Sequence, residues 1–159
     1  MPTLHETIAA AEGLLQRHWG PALRLDRDGE VLSEHGWPSV VRAAVADAPD
    51  GRQSVIIKTY RSYRPYDPDD PTSPASELFA EWAGSALLAE LVPDEPALAG
   101  VVTGDRELGV VVIDDLGSGP SLDDLLAGGP TAAIELAFDE LARVLASVHG
   151  AILGQLAAF

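Results

Sequence analysis

The chain has 159 residues, enough for one domain with a real core. Its formal net charge of −15 argues against binding nucleic acid or an anionic membrane through the general surface; the acid excess serves solubility, or draws a cationic small molecule or a basic partner. With no cysteine there are no disulfides, thiolate metal sites or cysteine nucleophiles, which fits a reducing cytoplasm, and the four histidines (His5, His18, His35, His149) are scattered without metal-ligand spacing.

No apolar run approaches the length of a membrane span, and residues 1–15 carry acids without the basic start of a secretory signal. Residues 3–19 read as an amphipathic helix, with Thr3 as N-cap and Ile8, Ala11, Leu15 and His18 along one stripe. Gly20-Pro21 stops it. Residues 23–32 alternate as a strand interrupted at Asp28-Gly29, which reads as either a tight hairpin turn or a bulge. After a loop at 33–39, residues 40–46 form a second strand, and Pro49-Asp50-Gly51 turns the chain into a third, 54–60.

That third strand carries Lys58, the only lysine; every other basic side chain is an arginine. Alternation puts Lys58 on the same face as Ile56 and Tyr60. Lysine is a compact point charge on a flexible stem, suited to reaching a phosphate, where arginine is a planar fork. Taken singly, a strand lysine is more simply a snorkelling one.

An exposed Pro- and Asp-rich connection, 61–72, leads to Ser73-Pro74, an N-cap with proline at the first helical position. The helix is expected over 74–91, ended by Pro93, with Leu78, Trp82, Ser85, Leu88, Ala89 and Val92 on one face. Glu81 falls inside that stripe, whereas Glu90 points away. A lone buried carboxylate is costly, so a basic partner is expected and Lys58 is at hand. Periodicity leaves two alternatives open: Glu81 reaching water at the rim, or Glu77 making the contact instead. Residues 101–103, a turn at Gly104-Asp105, and 108–113 form the fourth and fifth strands; the continuous run Val110-Val111-Val112-Ile113 suits a strand covered on both faces. A short helix capped by Ser121 follows a loop at 114–120. A long one over 131–159 carries Ile134, Phe138, Leu141, Leu145, Val148, Ile152, Leu156 and Phe159 in one apolar stripe, which must pack on this domain or on further sequence.

In this order, the loop at 33–39, Val55-Ile56-Ile57-Lys58, Phe79-Ala80-Glu81-Trp82-Ala83-Gly84, Val112-Ile113-Asp114-Asp115-Leu116-Gly117, Ser121-Leu122-Asp123-Asp124-Leu125-Leu126 and the last helix through His149 resemble the N-terminal lobe of the aminoglycoside phosphotransferase and choline kinase-like family, distant relatives of protein kinases. The ordered set carries the resemblance, not any single motif. It implies an α+β fold: a kinase-like N-lobe with a five-stranded antiparallel sheet and one packed helix over 1–117, preceded by an N-terminal helix. Residues 118–159 would supply the short and long helices that begin a C-lobe.

The resemblance implies a site as well. Lys58 would hold the α- and β-phosphates of ATP, and Glu81 would hold the lysine. The backbone of Ile113, Asp114, Asp115 and Leu116 would meet the adenine edge, and Ser39 with neighbouring loop amides would touch phosphate. Gly36 stands without the other glycines of G-x-G-x-x-G, and a Walker-type loop is absent. The family's catalytic Asp and its magnesium-holding Asn and Asp lie in a C-lobe after the last helix; none of Asp105, Asp114, Asp115, Asp123, Asp124 or Asp139 sits in a matching motif. No catalytic or metal residue is therefore expected within 1–159, and the chain is expected to be a truncated or isolated piece, inactive in transfer when alone, with Mg2+ required only alongside the C-lobe. The expected partners are a nucleotide and, in a longer form, a small-molecule hydroxyl acceptor, with no nucleic acid and no membrane. The competing reading is a non-catalytic kinase-like interaction module that self-associates through its C-terminal helix.

Overall fold

A computed structural model of the chain describes residues 2–33, 38–61, 64–93 and 95–156. The fold is α+β, with four helices among the described residues and one antiparallel sheet of six strands. Two compact units divide it: Met1–Ala86 with Ala99–Asp115, and Leu87–Leu98 with Leu116–Phe159.

The first unit opens with α1, Leu4–Trp19. Thr3 and Glu6 form a reciprocal capping box, the Thr3 hydroxyl accepting from Glu6 N and the Glu6 carboxylate accepting from Thr3 N, so two otherwise orphaned donors are satisfied. Ile8, Ala11 and Leu15 are buried as the stripe predicted, while His18 is exposed. Glu12 is also buried: its carboxylate accepts Leu25 N at 2.8 Å and Arg27 Nη2 at 2.7 Å, and so ties α1 to the sheet edge.

That edge is split into β1, Arg24–Leu25, and β2, Glu30–Ser33, both paired with β3, Ser39–Ala46. The interruption at Asp28-Gly29 is thus a bulge-like excursion along one edge and not a hairpin turn. Between Leu25↔Val45 and Glu30↔Arg42 the edge advances by five residues and β3 by three. A Cβ on Gly29 would meet Arg42 O at 2.9 Å and the Ile8 side chain at 3.1 Å, so only glycine lets the excursion lie this close to strand and helix. The split edge is why the sheet has six strands where five were expected.

β4, Ser54–Thr59, pairs with β3 on one side and β6, Val110–Asp114, on the other; β5, Val101–Asp105, closes the far edge. The order is β1-β3-β4-β6-β5, with β2 beside β3. Strand alternation divides the core. Val55, Ile57, Val110 and Val112 pack with Ile8, Leu14 and Leu15 of α1 on one face. Ile56, Tyr60, Val111 and Ile113 pack on the other with Leu78 and Trp82 of α2, Ala75–Leu91. Full burial of each Val, Ile or Leu contributes about 1.5–3 kcal/mol, and both faces of β6 are covered, as its unbroken apolar run predicted.

One turn and one buried face differ from expectation. β5 runs through Gly104 and Asp105, and the turn falls at residues 106–109, where Gly109 takes φ +64°. Gly104 stays in the strand, paired with Val111, and is glycine because the Trp82 ring lies over it, with Trp82 Cζ3 at 2.7 Å from where a Cβ would stand. The α2 stripe is fully buried only near its start, at Ala75 and Leu78, while Ala89 is exposed. Ser73 does cap the helix start: its hydroxyl accepts from Ala75 N at 3.1 Å.

In the second unit, α3, Leu122–Gly128, carries a capping box between Ser121 and Asp124. In α4, Thr131–Leu156, Arg143 places both terminal guanidinium nitrogens on Glu95, at 2.8 and 2.7 Å. The apolar stripe of α4 is not buried: Phe138, Leu141, Leu145 and Ile152 are all exposed, and Ile134 and Val148 are half-buried. The Leu156 side chain and Phe159 lie outside the described residues. No helix among the described residues is long and apolar enough to cross a membrane.

Candidate functional site

Lys58 sits in an interior strand, opposite Val40 of β3 and Val111 of β6, and its side chain emerges on the α2 face. Leu78, 1 % exposed, anchors α2 over that face, and Glu81 follows three residues on, on the same side of the helix. The Lys58 ammonium donates to Glu81 Oε1. Lys58 and Glu81 keep 23 % and 27 % of their side-chain surface, so the pair lies at the rim of the core and is not sealed inside it. Of the arrangements that periodicity left open, rim placement and pairing with Lys58 hold together, and Glu77 instead accepts from Arg64 at 2.9 Å.

A third member joins them. Tyr60, 2 % exposed, donates its phenol O–H to Glu81 Oε2, so each carboxylate oxygen has its own donor. Burial first, then the hydrogen bond to Glu81 and the Glu81 charge, raise the Tyr60 phenol well above its ordinary range and keep it a donor. Alternation already placed Tyr60 on the Lys58 face; the carboxylate it reaches depends on where α2 docks, which periodicity does not give.

An ammonium has three N–H donors, so the Glu81 bond leaves Lys58 able to meet an anionic oxygen at the partly open rim. Beside it on the same face lie Val40, Ile56 and Ile113, with Lys58 at one end and Arg42, opposite Ile56 and paired with Asp115 and Glu30, at the other.

Asp114 ends β6, opposite Val55. Its backbone N–H donates to Gly100 O at 2.9 Å, and its carboxylate accepts Gly100 N at 2.9 Å and pairs with Arg52. Asp115, its side chain 7 % exposed, accepts Arg42 Nε at 2.8 Å, Arg42 Nη2 at 3.3 Å and Ser54 Oγ at 2.6 Å. The Asp115 bond, with Glu30 second, holds the Arg42 guanidinium above its ordinary value. Both carboxylates therefore fasten the end of β6 to β3 and the β3–β4 turn, and the Asp114 N–H is committed to Gly100 O. Nothing in the sequence marked Arg42 or Arg52 as the residues that hold it. Leu116 follows, largely exposed. From Val111, opposite Lys58, to Asp114 is three strand steps, about 10 Å.

Ser39 pairs with Thr59, the neighbour of Lys58, which puts its side chain on the opposite face of the sheet. Residues 34–37 of the loop expected to cover a nucleotide, including Gly36, lie outside the described residues. The structure thus brings Lys58, Glu81 and Ile113 to one face, gives Asp114 and Asp115 structural partners, and turns Ser39 away. Among the described residues no three His, Asp or Glu side chains converge as a metal site would need. No protein-family model matches the chain, and no curated protein matches it significantly.

Proposed function

We propose that this chain is the nucleotide-binding lobe of a small-molecule phosphotransferase related to the aminoglycoside phosphotransferase and choline kinase-like family, with a kinase-like N-lobe over residues 1–117. The observation that carries the reading is the Lys58–Glu81 pair, formed between an interior strand and the helix packed on it. The sheet order supports it: a hairpin of β2 and β3, then the lysine strand, then α2, then the β5–β6 hairpin laid against the lysine strand. ATP fits the groups present. An adenine ring suits the apolar patch of Val40, Ile56 and Ile113 and the main chain at 113–116, and the span from there to Lys58 suits the reach from base to phosphates.

In this reading Lys58 neutralises and orients the α- and β-phosphates, while Glu81 keeps the ammonium extended towards them. ATP with Mg2+ supplies the phosphoryl group, and a small hydroxyl compound accepts it once catalytic residues beyond this lobe take part. The cytoplasm is the compartment that matches such a cosubstrate. ATP is expected to raise the melting temperature of the wild-type chain, and Lys58→Ala to abolish that rise. Identical responses of wild type and variant would contradict the reading.

A second reading has its own observation. The exposed apolar stripe of α4, with Leu136 at 71 % and Leu153 at 65 % beside it, suits an interaction module with a kinase-like lobe that associates through this helix.

A further inference from the structure

Glu81 is shared between two donors that stand two residues apart on one face of the chain. Lys58 Nζ takes one oxygen and the Tyr60 phenol the other. The two donors differ in kind. Lys58 is a mobile four-carbon stem at a partly open rim, with rotamer freedom to swing towards any anion. Tyr60 is a rigid ring, 2 % exposed, packed with Leu78, Val111 and Ile113, and its backbone N–H is fixed to Gly109 O at 2.9 Å. A carboxylate held only by the lysine would follow it; held also by an immobile phenol, it stays and confines the lysine instead.

We propose that Tyr60 is a positioning residue of the site: its phenol fixes the Glu81 carboxylate, and the fixed carboxylate keeps the Lys58 ammonium aimed at the ligand's phosphate. The inference rests on the nucleotide reading for its ligand, but the grip on Lys58 is measurable without one. Tyr60 touches neither phosphate nor base, and acts only through Glu81. The phenol donates its proton to Glu81 and takes none from Lys58. It satisfies part of the carboxylate's charge, leaving the ammonium free to share its other N–H groups with a phosphate oxygen. Tyr60→Phe keeps the ring and its packing and removes only the hydroxyl.

The single lysine makes the test specific, because an amine-acylating reagent can label only Lys58 and the chain's α-amino group, which peptide mass mapping separates. Acylation rate of Lys58 and ATP affinity are measured on the full chain for wild type, Tyr60→Phe, Glu81→Ala and the double variant, with urea midpoints recorded for each. A lost hydrogen bond to a charged group shifts an equilibrium by roughly tenfold. Tyr60→Phe is therefore expected to speed Lys58 acylation and weaken ATP binding by about five- to tenfold. In the Glu81→Ala background the same substitution is expected to change both by less than about twofold, since the carboxylate through which the phenol reaches Lys58 is gone. An equal effect of Tyr60→Phe in both backgrounds, or unchanged Lys58 reactivity in Tyr60→Phe, would overturn the proposal. ATP that fails to protect wild-type Lys58 from acylation would instead strike the nucleotide reading, and the ligand-free acylation rates would still decide the role of Tyr60.

Discussion

At the scale of single residues, the chain's one lysine is a better marker than its many acids. Arginines fill the paired positions: Arg42 on Asp115, Arg143 on Glu95 and Arg52 on Asp114. These are committed structural contacts and not merely solvated charges, which composition could not reveal. Lys58 was legible because a lone ammonium inside a β-branched run conflicts with its surroundings. Glu81 was legible as a charge inside an apolar stripe. Tyr60 was legible only as to its face, since its partner lies on an element whose docking is a tertiary event. Gly104 shows the same limit. It read as a turn residue because glycine usually breaks a strand, but the Trp82 ring had already claimed the space above it. Gly104→Ala would press a methyl group onto that ring, and is expected to cost about 1–3 kcal/mol. A urea midpoint that falls with an unchanged slope checks it. Because Trp82 adjoins Glu81 on α2, the variant should also shrink the ATP-induced rise in melting temperature.

Elements were legible where local chemistry decides them. The capping boxes at Thr3/Glu6 and Ser121/Asp124 satisfy N-terminal donors without tertiary help, and the sequence places Thr3, Ser73 and Ser121 at the starts of their helices. The edge strand was less legible. Asp28-Gly29 fits a hairpin as well as a bulge, and the choice fell to the partner strand: β3 is long enough, at eight residues, to pair with both β1 and β2 in succession. The α4 stripe was correctly read as apolar, but a periodic pattern says which face is apolar and not what covers it. If α4 mediates self-association, sedimentation velocity should show a weight-average mass rising with concentration, and Leu141→Glu with Leu145→Glu should return it to that of the monomer. A wild-type chain that sediments as a monomer at every concentration would set that reading aside.

On the scale of the whole molecule, the first unit is an antiparallel sheet with helices on both faces, and the candidate site occupies the face that α2 covers incompletely. That incompleteness follows from the chain itself. α2 buries Ala75 and Leu78 and then presents Glu81, so the helix that seals the face at one end opens it at the next turn. A net charge of −15 makes this exception more telling. An anionic ligand approaching so acidic a chain needs a specific cation; in the proposed reading Lys58 is that cation, beside Val40, Ile56 and Ile113 and a bend whose carboxylates are already occupied. The succession of strands and helices was readable from the spacing of apolar runs and turns, and the resemblance implied the α+β class; the order of strands in the sheet and the arginine clamps at Asp114 and Asp115, formed between residues up to 73 positions apart, were not readable. A different cationic concavity tests the specificity of the claim. Arg61, Arg64 and Tyr66, with Pro2 and Glu6, line an open hollow elsewhere on the first unit. The most direct measurement is an amide-resolved NMR titration of the full chain with Mg·ATP. The account predicts concentration-dependent shifts at Lys58, Thr59, Glu81 and residues 113–116. Shifts confined to Arg61, Arg64 and Tyr66, or none at millimolar nucleotide, would contradict it.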